Sequence, residues 1–248
     1  MKIQHLATGL FLGMTATSSA LAFQFEGTGA YFDFDDRDDS ALALQGQYFF
    51  APVDDSGVPR AEAAFIRRAS NVGLRYVTFD EADFDILTLG GEGYVDNLYG
   101  SVEFTRNEFG SLESDDLALE LGFFLSDTTR LSVGYDDDES FAGGSTSRIS
   151  LNGKMLNLLG NGQAFNGEFS IGQSDDANDT VDYSLRGDFF LNADFSLGLE
   201  YADSDDDTAN DSLDFNARWF VIPTLSVQIT YHSEDMDDFI QFGVTGRF

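Results

Sequence analysis

His232 is one of only two histidines in the 248-residue chain, and acidic residues stand close to it. Glu234 and Asp235 follow it almost directly. A histidine beside a carboxylate can activate a hydroxyl group or a water molecule for hydrolysis. The chain has no Gly-x-Ser-x-Gly, His-Glu-x-x-His or phosphate-loop motif, however. We therefore favour a polar lining role for His232 and expect no enzymatic activity.

Closely spaced aspartates form a second candidate site. Asp203, Asp205 and Asp207 have a spacing that suits the oxygen-rich coordination of Ca²⁺ or Mg²⁺. An EF-hand is excluded, because Thr208 stands where that loop needs glycine and no glutamate closes it. Together with Asp206, these aspartates are expected to form a solvated surface of mutually repelling charges. Loose binding of Ca²⁺ or Mg²⁺ stays an alternative, and no tightly bound cofactor is expected.

The charge balance of the whole chain excludes several classes of protein. The chain has 13 Lys and Arg against 44 Asp and Glu, and its net charge of −31 repels the phosphates of nucleic acids. It has no cysteine, which excludes disulfides and thiolate zinc or iron–sulfur sites. Its aromatic content of 14 % is unlike that of disordered acidic chains. A folded protein with an acidic surface is expected.

The first 22 residues have the pattern of a cleaved signal peptide. Lys2 precedes an apolar stretch at residues 6–14, and an Ala-x-Ala site ends at Ala22. The apolar stretch is too short to cross a membrane as a helix. The sequence therefore predicts a leader over residues 1–22 and an exported mature domain over residues 23–248.

Apolar and other residues alternate with a period of two along the mature chain. The clearest segments are residues 117–125, 181–189, 213–219 and 225–231. They show seven to nine alternating residues each, close to the length of about 9–11 residues that a tilted β-strand needs to cross a bilayer. No later run approaches 18 apolar residues, so no membrane helix is expected.

The connections between these segments alternate between brief, nearly uncharged turns and acidic loops. The acidic windows are residues 33–39, 80–83, 108–116, 136–139, 175–179, 203–211 and 234–238. They hold 28 of the 44 acidic residues, with Arg37 as their single basic residue. Seven such loops predict seven hairpins and a closed antiparallel barrel of about fourteen strands, with both termini on the periplasmic side. Twelve strands would result if residues 60–93 formed a plug or a long turn.

A soluble β-sandwich from a salt-loving organism is the competing interpretation, because it would also alternate and be acidic. Charge confined to one end of every hairpin favours the transmembrane barrel. The last residues, Ile240, Phe242, Val244, Gly246 and Phe248, alternate up to a terminal aromatic residue. This ending resembles the signal that the outer-membrane barrel assembly machinery recognises. A bacterial outer-membrane location is therefore expected, in contact with lipid and lipopolysaccharide phosphates, which divalent ions could bridge to the loops.

The alternation also predicts which side chains face the lumen. The charged members of that set are Arg75, Glu103, Glu120, Arg130, Arg148, Lys154, Glu168, Arg186, Asp188, Glu200, Asp214, Arg218 and Arg247. Apolar side chains should face lipid, with aromatic girdles at both ends of the strands. In the hairpin around residues 175–180, Phe169 should lie opposite Leu185, and Glu168 opposite Arg186.

Three short stretches resemble one hairpin of the general bacterial porins of Gram-negative proteobacteria. They are Gly46–Val53, Pro59–Phe65 and Ala69–Leu74. The resemblance implies an outer-membrane pore for small hydrophilic solutes, and it implies no catalytic residue. No loop is long enough to be an obvious inward-folded constriction, and the oligomeric state stays open.

Two functions are compatible with such a barrel. The first is a diffusion channel that prefers cations because of an acidic mouth formed by Asp203, Asp205, Asp206 and Asp207. The second is a non-conducting barrel that acts as a structural or surface-interaction protein through its acidic loops. About fourteen strands favour the channel, because barrels near eight strands fill with side chains and larger ones leave open lumen space.

Overall fold

The computed structural model describes residues 22–35, 39–141, 143–160, 162–175, 179–205, 211–234 and 238–248. The predicted leader up to residue 21, and Arg37, Asp206, Asp207 and Asp235, therefore lie outside the described residues. The strands are β1 (Ala22–Phe34), β2 (Asp39–Asp54), β3 (Asn71–Phe79), β4 (Phe84–Val95), β5 (Leu98–Phe109), β6 (Leu112–Ser126), β7 (Thr129–Glu139), β8 (Ser145–Gly160), β9 (Gln163–Ser174), β10 (Val181–Asn192), β11 (Phe195–Ser204), β12 (Ser212–Ile222), β13 (Leu225–Glu234) and β14 (Phe239–Arg247).

The strands form one closed antiparallel barrel in which each strand pairs with its neighbours in the chain and β1 pairs with β14. At this closing seam Glu26 lies opposite Arg247. The main-chain N–H groups of Gln24 and Phe25 donate to the carbonyl oxygen of Phe248 at 2.7 and 2.9 Å. The fourteen-stranded barrel is confirmed, and the twelve-stranded and sandwich alternatives are wrong.

The predicted register of the β9–β10 hairpin is confirmed. Leu185 lies opposite Phe169, and Arg186 lies opposite Glu168. A shift of one strand by one residue would have placed the two charges on opposite faces of the sheet, so the polar lumen and the apolar exterior together fix this pairing.

The two ends of the barrel differ in their connections. At one end, here called the turn rim, lie both termini and the connections β4–β5, β6–β7, β8–β9, β10–β11 and β12–β13. The opposite end, the loop rim, carries the acidic connections. Some of these are tighter than the sequence predicts: β5 and β6 run to Phe109 and from Leu112, so that only Gly110 and Ser111 connect them. Gly110 has φ +60, which glycine adopts without a steric penalty.

The outer surface of the barrel is apolar along its middle. Leu121 and Leu185 are 74 % and 64 % exposed there, as expected for side chains that contact lipid. Exposed aromatic residues lie near both rims, among them Tyr48, Phe50 and Trp219 toward the turn rim. These rings correspond to the predicted girdles.

The connection between β2 and β3, residues 55–70, differs from every other turn. We call it the inner segment. It contains a 3₁₀ turn, Arg60–Glu62, and a single-turn helix α1, Ala63–Ile66. Phe65 is buried among side chains of the inner wall. We expected no obvious constriction loop, and the inward fold of this shorter connection was not predicted. No helix in the described part of the chain is long and apolar enough to cross a membrane.

A lipid-facing charge should destabilise this barrel far more than a lumen-facing one. We expect Leu185→Arg, near the middle of β10, to lower the free energy of unfolding by about 2–4 kcal/mol. The neighbouring variant Ser184→Arg should cost less, because its side chain enters the polar lumen. Urea unfolding in lipid vesicles measures both, and equal losses would contradict the assignment of the two faces.

Candidate functional site

A continuous row of charged side chains winds along the inner wall, and we call it the charged row. Register pairing links its members in the order Arg130, Lys154, Glu168, Arg186, Glu200, Asp214 and His232. Arg130 lies at the start of β7 beside the turn rim, whereas His232 lies near the loop end of β13. The stagger of the strands therefore carries the row from one rim toward the other.

Opposite charges in the row neutralise one another. Lys154 Nζ lies 2.9 Å from Glu168 Oε1, and Arg186 Nη1 lies 3.7 Å from Glu200 Oε2. Arg186 also donates to Asp188, with Nε 2.9 Å from Oδ2. Charges that leave bulk water need such partners, so the row presents paired dipoles to the lumen rather than a field of one sign.

The remaining predicted lining residues also lie on the inner wall. Arg75, Glu103, Glu120 and Arg148 line a cavity of about 520 Å³ inside the barrel. Arg148 forms an ion pair of 3.0 Å with Asp136 on β7. This space is accessible to water, and its walls expose both positively and negatively charged side chains.

Arg218 has a different kind of partner. Its Nε donates to the side-chain oxygen of Gln228 at 2.9 Å. No carboxylate lies within ion-pair distance of Arg218 among the residues that the structure describes. Its positive charge therefore reaches the lumen with less neutralisation than that of Arg186 or Lys154.

His232 has carboxylates at both ring nitrogens. Nδ1 lies 2.5 Å from Asp214, and Nε2 lies 3.3 Å from Glu234. Its ring stacks on Phe239 at a centroid distance of 4.5 Å. Because both nitrogens are engaged, neither is placed to activate a hydroxyl group, and the ring serves as a lining residue.

Only part of the predicted acidic mouth lies in the described chain. Asp203 belongs to β11, where its carboxylate accepts the hydroxyl groups of Tyr183 and Tyr201 at 2.6 and 2.8 Å. Asp203 thus joins the outer girdle of the loop rim. Asp205 accepts the main-chain N–H of Val181 at 2.7 Å. Within the described ranges, no cluster of three or more His, Asp or Glu side chains is arranged to hold a metal ion.

The inner segment packs into the turn-rim end of the lumen through apolar contacts. Phe65 is 8 % exposed and lies 5.4 Å from the ring of Phe124 on β6. The same cluster includes Leu156 of β8 and Phe190 of β10. Ala63 packs in a second cluster with side chains of β1 and β2, on another part of the wall. The segment therefore crosses the lumen and narrows it.

Charged groups hold the inner segment in this position. Glu62 lies 2.9 Å from Lys154 of the charged row. Arg60 contacts Asp55 and Asp194, each at 2.6 Å. Burial alone would lower the pKa of Arg60, but hydrogen bonds to these two carboxylates raise the pKa above its ordinary value. The guanidinium therefore stays charged and links the segment to the β10–β11 turn.

The length and the composition of this connection together are a signal for the inward fold. The connection of residues 55–70 is much longer than the other turns at its rim. It also contains Pro59 followed by Ala61, Ala63 and Ala64, a composition that begins and favours a short helix. Apolar residues at the beginning of a helix, in a turn that is expected to be exposed, indicate that the segment packs against other side chains.

The sequence matches the family described as "Putative general bacterial porin" over residues 1–142, more than half of the chain. The chain belongs to this porin family. The family and the barrel are those of an outer-membrane channel rather than of an enzyme, and they imply passage of small hydrophilic solutes. No curated protein sequence gives a significant match.

Solved structures agree with this assignment. The porin is 26 % identical to the Acinetobacter baumannii outer membrane protein Omp33, covering 92 % of this chain and 99 % of that one with a TM-score of 0.73. A mutant of the Rh. blastica porin is 9 % identical over 91 % of this chain and 99 % of its own, with a TM-score of 0.50. The KdgM porin is 8 % identical over 90 % and 99 %, also with a TM-score of 0.50. The last two likenesses show the fold alone.

The Glu62–Lys154 contact should contribute measurably to stability. In a double-mutant cycle with Glu62→Gln and Lys154→Met, we expect a coupling of about 0.5–3 kcal/mol in the free energy of unfolding. The more exposed pair Arg67–Asp54, with a single side-chain contact of 3.4 Å, is the control and should show a smaller coupling, below about 0.5 kcal/mol. Urea unfolding of the four chains of each cycle gives both values, and a Glu62–Lys154 coupling near zero would contradict the anchoring role.

Proposed function

We propose that this porin mediates passive diffusion of small hydrophilic solutes and ions, and that it prefers cations. The observation that carries the proposal is a fourteen-stranded barrel whose inner wall is polar, with paired charges around a cavity of about 520 Å³. Barrels of this size leave lumen space that smaller barrels fill with side chains.

The preference for cations follows from where unbalanced charge lies. The seven acidic windows hold 28 acidic residues and one arginine, and the described strands that border them have these ends at the loop rim. Below the rim, Asp136 and Asp182 share one cation, Arg148, and Glu234 lies beside His232, so carboxylates outnumber cations on this part of the inner wall. A crowded ring of carboxylates raises the local concentration of cations, and salt screens the effect over about 8–10 Å at physiological strength.

The same proposal gives roles to the two ends of the chain. Residues 1–22 would direct export across the inner membrane and be removed. Phe248 would be recognised by the assembly machinery, and its ring lies 6.4 Å from that of Phe25 beside the closing seam. The loop rim would then face lipopolysaccharide, whose phosphates Ca²⁺ or Mg²⁺ could bridge to the carboxylates.

One observation favours a second function, a non-conducting barrel that acts at the surface through its acidic loops. The inner segment crosses the lumen at the turn rim, where Phe65 and Glu62 contact the wall. In this alternative the segment is a permanent stopper. In the preferred function it leaves a narrow passage and limits the current.

Loosening the inner segment distinguishes these two functions. We expect Phe65→Ala to raise single-channel conductance in a planar bilayer, because the variant removes the largest apolar contact between the segment and the wall. Phe215→Ala, which removes the same ring from the outer face of β12, is the matched control and should leave conductance unchanged. Wild-type protein without any current would refute the channel and support the surface role.

Neutralising the mouth should reduce cation preference without unfolding the barrel. We expect Asp203, Asp205, Asp206 and Asp207, all changed to Asn, to shift the zero-current potential across a salt gradient toward zero. Preference should also weaken between about 0.1 M and 1 M salt, where the screening length shrinks to about 3 Å.

The controls for this variant lie at the opposite rim and in the wall. Asp96→Asn with Asp127→Asn neutralises turn-rim acids and should shift the potential less. Glu200→Gln in the charged row should change conductance more than ion preference. An anion-selective wild type, or a loop variant indistinguishable from it, would contradict a mouth-based mechanism.

A further inference from the structure

The loop-rim end of the lumen carries a chain of touching phenylalanine rings, which we call the aromatic track. Its members are Phe239, Phe32, Phe34, Phe79, Phe84 and Phe109, and Phe141 of the β7–β8 connection packs against the last two. Centroid distances between successive rings run from 5.3 to 6.5 Å. His232 continues the track on the other side of Phe239. The ring contacts thus run from β13 and β14 through β1 to β3, β4 and β5. The contact between Phe34 and Phe79 bridges β2, which lies between β1 and β3.

The alternation of the strands places these rings inside the barrel. Phe32 and Phe34 have the same parity as Glu26, whose carboxylate pairs with Arg247 in the lumen at 2.6 Å. Phe79 has the same parity as Arg75, which lines the internal cavity. Phenylalanine at lumen-facing positions of the loop rim is notable, because only lipid-facing side chains of such a barrel need to be apolar.

Small residues beneath the rings let them lie along the wall. Ala30, Ala41 and Ala43 are buried under the cluster that includes Phe32, Phe34 and Phe79. The rings are not sealed in a core, however. Phe109 is 50 % exposed, so the track has an accessible aromatic surface. Burial in a core does not explain an exposed apolar surface of this length at the channel entrance. Such surfaces commonly mark binding sites.

The surroundings of the track are strongly acidic. Phe34, Phe79, Phe84, Phe109 and Phe239 are each the first or last residue of their strands at the loop rim. The described residues of the adjoining windows 33–39, 80–83, 108–116 and 234–238 include twelve Asp and Glu and no Lys or Arg. The His232 end of the track contacts the carboxylates of Asp214 and Glu234. Negative charge therefore surrounds an aromatic surface.

We propose that the aromatic track binds small organic cations that carry an aromatic or apolar face, as a first docking site at the channel entrance. The carboxylates attract positive charge over a distance, and aromatic faces attract a cation directly. Apolar contact with the rings adds a contribution that inorganic cations lack. The inference deepens the proposed channel function by naming the solute class that its entrance retains.

The alternative is that the rings only brace the loops against one another. That role requires apolar volume but not aromaticity, so a change of Phe to Leu separates the two. We would test Phe79→Leu and Phe239→Leu, with Phe215→Leu on the outer face of β12 as the matched control.

The probes should differ in one property at a time. Phenyltrimethylammonium carries both charge and ring, tetramethylammonium carries the charge alone, and benzenesulfonate carries the ring with the opposite charge. Equilibrium dialysis with the detergent-solubilised full chain measures binding without requiring conduction. Blockade of single-channel current by probe added at the loop side measures the same site in the bilayer.

We expect phenyltrimethylammonium to bind more tightly than either other probe. Phe79→Leu and Phe239→Leu should each weaken its binding about threefold to tenfold, and Phe215→Leu should not. Equal binding of phenyltrimethylammonium and tetramethylammonium, or Leu variants that bind like wild type, would overturn the proposal. A chain that conducts but binds no probe refutes the track alone, whereas one that binds phenyltrimethylammonium but never conducts refutes the channel alone.

Discussion

Backbone hydrogen bonding in a solvent without donors or acceptors is the constraint on which the whole structure depends. Each unpaired N–H or C=O group costs several kcal/mol in lipid, so a sheet crosses a bilayer only when it closes. Here the closure runs through the β1–β14 seam, with Glu26 opposite Arg247 and the carbonyl oxygen of Phe248 accepting two N–H groups. Once closed, a strand has one lipid side and one lumen side, and the remaining features follow from this division.

On the lumen side, the constraint is that charged side chains need partners of opposite charge. Water there is confined and the wall is close, so an isolated ion costs more than at an open surface. In the charged row, ion pairs such as Lys154 with Glu168 and Arg186 with Glu200 reduce this cost. Further described carboxylates, such as Asp182 and Glu234, lie toward the loop rim. The result is an inner wall on which opposite charges of the row are largely paired.

Period-two alternation made most of this fold predictable. The strand count followed from the alternation of acidic loops and short turns, and the β9–β10 register and the inward direction of Glu168 and Arg186 followed from parity. The inner segment did not follow, because its signal lies in the length and the apolar helix start of one connection and not in a strand alternation. The aromatic track was missed for a different reason. Parity assigns Phe32 and Phe34 to the same side as Glu26, but we assumed that every large apolar side chain faces lipid.

The two unpredicted features lie at opposite ends of one lumen and differ in how firmly they are built. The aromatic track belongs to strands that are hydrogen-bonded on both sides, so its rings keep their places as long as the barrel persists. The inner segment is attached mainly through side chains, by Phe65, Glu62 and Arg60, with the N–H of Arg60 donating to the Ala193 carbonyl oxygen at 3.0 Å. Elements held by few contacts open at a lower free energy than the ladder around them. The inner segment can therefore shift without breaking a strand pairing, whereas the rings of the aromatic track move only with the barrel wall.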